Sequence, residues 1–387
     1  MSTLSPIRRT GRAARGGSPV AKPQVTGRIV FLLLAGFALL AGLDGALALL
    51  GLGAPVDSSR LTAVHGPLMV FGFVGTVVVL ERAVAVRRRW AYLAPGLLGG
   101  GALALISPLP VVVGQAAFVA GSLVLLIIYA EIWRKQAAVS IAVQVLGALL
   151  GLMSTVFWLR GIGIPQLAPL LILVLVLTIA GERLELSRIS PTVDPRAEQW
   201  MLAISLALGF GSVAALVWPV VGYRVLGVGI LALVAWLFRH DIATRTVRSA
   251  GLPRYMAWCL LAGYGWLVVV GGIWLLRGPV YSGPAYDAMM HAAFLGFVIS
   301  MIMAHAPTIL PAVLRRPLPY RPVMYVPAAL LHVSLLARVL VGDAYGWPAI
   351  VQWGGVFNIV AVLLFMVIAV MSVLLATAVP VLQRART

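Results

Sequence analysis

The sequence has very little cysteine and very little acid. Its 387 residues include one cysteine, and 11 Asp and Glu against 29 Lys and Arg. The single Cys259 excludes a disulfide framework, a cysteine zinc site, an iron–sulfur cluster and covalent attachment of haem. The chain also lacks a phosphate-binding glycine loop of the GxxxxGK[ST] type, so nothing indicates nucleotide-driven chemistry.

Charge of either sign is scarce and apolar residues dominate. Only 10% of residues are charged and 61% are hydrophobic, which is typical of an integral helical membrane protein. The net charge of +18 is the kind of value seen in nucleic-acid-binding proteins, but the basic residues lie in the N-terminal tail, in alternate connections and at the C-terminus. This distribution follows the positive-inside rule. It predicts the lipid bilayer as partner, no nucleic acid, and a multi-pass protein of a bacterial-type cytoplasmic (inner) membrane with both termini cytoplasmic.

The chain divides into a short polar tail and one long apolar domain. Residues 1–26 are basic and rich in Gly, Ser and Pro, which predicts a disordered cytoplasmic tail. Residues 27–387 are expected to form a single all-α transmembrane domain of about twelve helices, because Gly, Pro or charges interrupt the apolar sequence at regular intervals. The predicted spans are about 28–50, 62–85, 91–107, 110–133, 138–160, 165–184, 198–218, 222–238, 256–277, 284–311, 322–341 and 348–379.

Two histidines lie at similar predicted depths on different helices. His65 follows the start of the second span by about three residues, and His291 follows the start of the tenth by about seven. Histidine inside a membrane is costly and usually functional. Two neutral imidazoles at one depth can ligate a single haem iron from opposite faces. The alternative is that each imidazole hydrogen-bonds a neighbouring group and simply packs.

The residues around these histidines fit a porphyrin in the predicted helices. Met69 and Gly72 lie four and seven residues after the first histidine, on its face, and Gly72 and Gly296 would leave room for a flat ring. Asp287 precedes the second histidine by one turn and could accept its other ring N–H, which fixes the tautomer. Candidate partners for haem propionates near the same ends are Arg60, Arg160, Arg224 and Arg277.

The other membrane histidines suggest a second site on the opposite side. His305 follows His291 by fourteen residues, about 21 Å along a helix and about 40° around it. His332 lies at a comparable level on the eleventh span, so the pair could hold a second haem or a metal. The competing interpretation is that His305 bonds backbone freed by Pro307 and Pro311. His240 lies in a basic connection and is expected to be solvated surface.

A few charged pairs stand at or inside the predicted spans. Glu81-Arg82 and Glu182-Arg183 end the second and sixth spans, where interfacial ion pairs are expected and a proton path is the alternative. Asp44 lies deep in the first span and is expected to pair with Arg60 or a polar neighbour. The segments H-x6-GFV and H-x4-GFV of the second and tenth spans also suggest a weak internal repeat.

The histidine motifs resemble those of a known superfamily. His65-Gly66-Pro67-Leu68-Met69 resembles the HGxxM motif on the second helix of haem–copper oxidase subunit I. The segment H-A-x-x-L-G-F-V-x-S-M-I that begins at His291 is similar to that of NnrS-like membrane proteins. The resemblance implies an oxidase-like twelve-helix bundle, low-spin haem ligation by His65 and His291, and a link to nitric oxide and denitrification.

The sequence departs from the oxidases at their copper centre. Its sixth and seventh spans carry no histidine, and Ala293 stands where the tenth helix of the oxidases has a second histidine. A copper cofactor and oxygen reduction are therefore unsupported by the resemblance.

The leading hypothesis is a membrane protein with one or two b-type haems that binds nitric oxide or another gas, or transfers electrons. If it is an enzyme, it would be an oxidoreductase of nitric oxide metabolism, and a redox partner or a respiratory or denitrification complex would be its partner. The alternatives are a secondary transporter with a histidine-lined substrate or metal path, and a non-catalytic subunit of a respiratory complex.

Overall fold

The computed structural model describes residues 24–56, 58–187 and 196–384, and the described chain is helical with no β-strand. We number its long helices α1 to α12. In chain order they are α1 Gln24–Leu49, α2 Ser59–Val86, α3 Leu93–Ile106, α4 Val111–Lys135, α5 Val139–Leu159, α6 Ile164–Ser187, α7 Ala197–Val217, α8 Pro219–His240, α9 Leu252–Arg277, α10 Gly283–Leu314, α11 Pro322–Asp343 and α12 Pro348–Arg384.

Most of these helices can cross a membrane. Eleven helices of the described chain are long and apolar enough to do so. The exception is α3, whose 14 residues, after a 3₁₀ turn at Arg89–Tyr92, occupy the predicted span 91–107. The prediction of an all-α, multi-pass membrane protein is confirmed, whereas the number of twelve spans stays a prediction. The predicted N-terminal tail lies outside the described residues up to position 23, and α1 already begins at Gln24.

Local sequence explains many of the helix boundaries. Proline occupies the first turn of α8, α9, α10, α11 and α12, where its fixed φ fits a helix and its missing N–H is not needed. Gly251 and Gly278 flank α9 with φ values of 67° and 74°, a left-handed conformation that side-chain-bearing residues rarely adopt. These residues set the short connections that fold the chain back on itself.

The helices form one bundle in which chain neighbours pack together. The closest pairings include α5 with α6, α7 with α8, α3 with α4, α8 with α9, and α11 with α12. Helix α6 lies near the centre, since 78% of its apolar window is buried. We call the end at which α1 begins and α2 ends the basic end, because Arg87, Arg134, Arg239 and Arg315 lie there. The other is the opposite end.

Three helices contain π-helical segments, in which the hydrogen bond spans five residues rather than four. They are Leu68–Gly75 in α2, Ala292–Ile299 in α10 and Ala337–Asp343 in α11. Insertions of this kind occur often at functional sites because they redirect the side chains around them. The segments in α2 and α10 begin directly after the turns that carry the two candidate haem ligands.

Candidate functional site

His65 lies six residues into α2, counted from the opposite end, and its ring is held by α1. Its Nδ1 lies 2.7 Å from the carbonyl oxygen of Gly42. A carbonyl only accepts, so Nδ1 carries the proton and donates it. The neutral ring therefore has its lone pair at Nε2, the nitrogen that points away from α1.

His291 lies eight residues into α10 and has the same hydrogen-bonding pattern. Its Nδ1 lies 2.9 Å from the carbonyl oxygen of Asp287 and 3.1 Å from Oδ1 of the same residue. The structure thus brings Asp287 into the contact predicted for fixing the tautomer. For both histidines the described residues offer no hydrogen-bond partner to Nε2.

Arg338 of α11 forms a bidentate ion pair with the Asp287 carboxylate. Its Nε lies 2.9 Å from Oδ2 and its Nη2 lies 2.8 Å from Oδ1. The arginine side chain is buried, and bidentate charge-assisted contacts of this kind are geometrically specific. The chain of contacts from Arg338 through Asp287 to His291 therefore fixes the orientation of the imidazole.

The two imidazoles lie close to each other in the bundle. They stand roughly 9 and 12 Å from the starts of their helices, which both begin at the opposite end. His291, Arg338 and Asp287 all lie near enough to His65 for an electrostatic interaction. Both rings are partly exposed although their helices are inside the bundle, and the His291 side chain keeps 24% of its surface accessible.

The packing of α2 and α10 differs between their two halves. At the basic end the segments Thr76–Val86 and Ser300–Leu314 contact each other directly. At the opposite end α2 packs mainly against α1 and α3, and α10 packs mainly against α9 and α11. The helices therefore make fewer contacts with each other where they carry the histidines than at the basic end.

The glycines near the histidines do not have the predicted role. A Cβ on Gly72 would lie 2.8 Å from Cβ of Ala102 and 3.0 Å from that of Ala38, so Gly72 permits close packing against α3 and α1. A Cβ on Gly296 would lie 2.2 Å from Cγ of Trp266 in α9. The expectation that both glycines leave room for a porphyrin was wrong, because a neighbouring helix already fills that room.

Met69 remains on the same face of α2 as the first histidine. Its sulfur packs over Gly42, the residue whose carbonyl holds His65. Met69 and His65 therefore both contact Gly42 of α1, and a role for Met69 beside a haem stays a prediction.

Both ring nitrogens of His332 form hydrogen bonds in the core. Its Nδ1 accepts from the Trp266 indole at 3.0 Å, and its Nε2 lies 3.1 Å from Oγ of Ser300, which itself donates to the carbonyl of Cys259. Since both ring nitrogens have partners, His332 is a satisfied structural histidine.

His305 also uses both ring nitrogens, one of them in a contact with helix α6. Its Nδ1 lies 2.8 Å from the carbonyl oxygen of Met301, and its Nε2 accepts from Nη2 of Arg183 at 2.8 Å. The structure does not bring His305 and His332 to a common site, and their occupied nitrogens do not fit the predicted second haem or metal.

The charged pairs also differ in part from expectation. Arg82 of α2 pairs with Glu182 of α6, so the two Glu-Arg sequences meet as an ion pair between helices. Asp44 accepts from the backbone N–H of Val56 at 3.0 Å, and Arg60 donates to carbonyls at the end of α3, including that of Leu105 at 2.6 Å. The predicted pairing of Asp44 with Arg60 was therefore wrong.

Arg338 is the residue of this site that the sequence interpretation missed. The candidate propionate partners were arginines near helix ends, whereas Arg338 lies inside an apolar span, five residues before Asp343. A charged residue within a span is itself a signal of function. It is the arginine that the structure joins to the histidine site.

The donor chemistry at this site is that of a histidine-ligated haem. His65 and His291 each keep a neutral Nε2 without a partner among the described residues, which is the nitrogen donor that haem iron takes from histidine. In the part of the chain that the structure describes, no three His, Cys, Asp or Glu side chains are grouped closely enough to hold a metal ion by themselves.

Comparison with known proteins gives a family and no function. No curated protein and no solved structure matches the chain. A family model matches residues 28–374, which is nearly the whole helical domain. The chain therefore belongs to the family described as "Domain of unknown function (DUF8744)".

Proposed function

We propose that this protein is a b-type haem protein of the membrane with His65 and His291 as axial ligands. The observation that carries the proposal is that the two imidazoles have the same hydrogen-bonding pattern. Each donates Nδ1–H to a carbonyl and keeps Nε2 free, and the two lie near each other where α2 and α10 make fewer contacts with each other. By contrast, His332, which lies in the core, uses both of its ring nitrogens within the protein.

Electron transfer is the role that this ligand set favours. A haem held by two histidines supplies a one-electron couple without an open coordination position. Binding of nitric oxide or another gas is the second role, and it requires one histidine to dissociate. The resemblance to NnrS-like proteins and to haem–copper oxidases supports this second role. With either role we propose an inner-membrane location with cytoplasmic termini, based on the basic connections.

The direct test is the optical spectrum of the purified full-length chain from cells supplied with a haem precursor. We expect a Soret band and a pyridine haemochrome of b type at one haem per chain. His65→Ala and His291→Ala should each lose most of the haem during purification, because removing one of the two Fe–N bonds weakens its binding. His305→Gln and His332→Gln should retain it, since neither residue faces the site.

The variants separate ligation from folding. All four should run as monodisperse species in detergent at comparable yield, which shows that haem loss is not unfolding. A colourless wild-type protein would overturn the proposal, as would full haem content in both alanine variants.

A further inference from the structure

A large cavity lies between the histidine pair and the basic end. It has a volume of about 940 Å³ and is lined mainly by residues of α1, α2, α6, α10 and α12. Its lining begins at Phe73 and Val298, eight and seven residues beyond His65 and His291, or roughly 10–12 Å farther along the helices. Along α2 and α10 the cavity therefore lies beyond the histidines, and on α1 its lining ends at Leu40, two residues before Gly42.

The cavity opens sideways to the surface that faces lipid. On α1 its lining includes Leu33 and Phe37, whose side chains are 66% and 51% exposed, and on α12 it includes Val370, which is 55% exposed. Nearly all of the remaining lining is aliphatic or aromatic. An apolar molecule dissolved in the bilayer could enter between α1 and α12 without crossing water.

The end of the cavity nearest the basic end is polar. Glu81, Thr178, Glu182 and His305 line it, on three different helices. Glu182 is paired with Arg82, whose guanidinium also lies 3.9 Å from Glu81. The side chains of Glu81 and Glu182 keep 31% and 23% of their surface accessible, so both carboxylates can accept further hydrogen bonds.

The arrangement of charge disfavours an anionic head group. Arg82 and Arg183 point their guanidinium groups at Glu182 and His305, so they are already engaged. The other charged groups in the lining are the carboxylates of Glu81 and Glu182 and the exposed Arg316 at the basic end. A phosphate or a fatty-acid carboxylate placed beside Glu81 and Glu182 would meet like charge, and like charges in a membrane interior repel strongly.

We infer that this cavity binds an isoprenoid hydroquinone. The two hydroxyls of its ring are hydrogen-bond donors, and Glu81 and Glu182 are acceptors beside one common arginine. The flat ring and branched tail match an aliphatic cavity of this volume, which is within the range of small-molecule sites. A single-hydroxyl lipid would satisfy only one carboxylate. The inference does not depend on the haem.

The test measures retention of decylubiquinol by the full-length protein in phosphatidylcholine nanodiscs, without oxygen, relative to empty nanodiscs. We expect saturable binding near one per chain. Decylubiquinone, decanol and oleate should each bind at least tenfold more weakly, because the first lacks donors, the second has one and the third is anionic.

Two variants on α2 probe the two parts of the cavity. Glu81→Leu removes one acceptor and should weaken decylubiquinol binding about tenfold. Val78→Trp fills the aliphatic part and should abolish it, whereas Val112→Trp on the lipid-facing side of α4 should leave it unchanged. His65→Ala should also bind normally, which distinguishes this site from the proposed haem site.

Equal retention of decylubiquinone and decylubiquinol would overturn the inference, because the carboxylates would then contribute nothing. Displacement by oleate at equal concentration, or full binding in Val78→Trp, would do the same. Failure of haem binding would leave the result of this experiment unaffected.

Discussion

Helices α2 and α10 contact each other at the basic end, which we call the closed end, and make few contacts with each other at the opposite end, the open end. At the basic end the helices touch, and one ion pair and a histidine with both nitrogens occupied tie them to α6. At the opposite end the two imidazoles each keep Nε2 free. Neither ring is fully buried, so each Nε2 is accessible to a ligand. The difference therefore indicates that the imidazoles at the opposite end are arranged for a ligand of their own, whereas the contacts at the basic end hold α2 and α10 together beside the cavity described above.

The two halves of α2 and α10 meet at the π-helical segments. Leu68–Gly75 and Ala292–Ile299 follow the histidines directly and precede the halves that touch. A π-helical turn changes the direction of the faces on either side of it. We interpret the two segments as the feature that lets α2 and α10 contact each other at one end and make fewer contacts at the other.

The largest effect that we predict concerns a histidine that is not a ligand. His332→Ala removes hydrogen bonds to Trp266 and Ser300 and leaves a cavity in the core. The free energy of unfolding should fall by about 3 kcal/mol, from the lost hydrogen bonds and the cavity together. The measurement is denaturant titration in mixed micelles, with haem content per folded protein recorded alongside.

The neighbouring Val333→Ala is the matched control, because Val333 is 64% exposed whereas His332 is 6% exposed. It should change stability by much less. If His332→Ala lost haem while remaining folded, the contrast between ligand and structural histidines would be broken.

The next effect concerns the ion pair at the closed end. Arg82 and Glu182 should show a coupling of about 2 kcal/mol in a double-mutant cycle with Arg82→Gln and Glu182→Gln, because both side chains are mostly buried. The exposed pair Lys135 and Glu131 on α4, where the lysine side chain is 56% exposed, provides the comparison. Its coupling should be below about 1 kcal/mol. Equal coupling in the two cycles would show that the inter-helix pair does not tie the closed end together.

Sequence alone predicted the architecture well because membrane helices are defined by composition. Long apolar segments bounded by Gly, Pro and Arg require no knowledge of tertiary contacts, and the structure confirms a multi-pass helical protein. Periodicity also placed Asp287 one turn from His291, since that contact is within one helix. Predictions of this kind succeed when the interaction is local.

Contacts between helices were harder to predict from the sequence. The sequence shows that Gly72 and Gly296 are small, but whether a small residue faces a gap or a neighbour depends on packing against α1, α3 and α9. For the same reason, the sequence makes His332 a candidate ligand, whereas in the structure Trp266 and Ser300 occupy both of its ring nitrogens. Arg338 was missed because its partner is on another helix.

The smallest effect that we predict tests the support behind His291. Asp287→Asn alone would leave Arg338 as an unpaired buried charge, so the informative variant is the double substitution Asp287→Asn with Arg338→Gln. The backbone carbonyl of residue 287 still accepts from Nδ1, so the imidazole keeps its tautomer and the haem should still bind. Loss of the anionic acceptor should weaken haem affinity about tenfold, measured by transfer of haem to apomyoglobin. Arg277→Gln, an exposed arginine at the same end, should have no effect. Unchanged affinity in the double variant would mean that the carbonyl contacts alone orient both imidazoles, and the open end would then depend on the backbone of α1 and α10 rather than on the ion pair with α11.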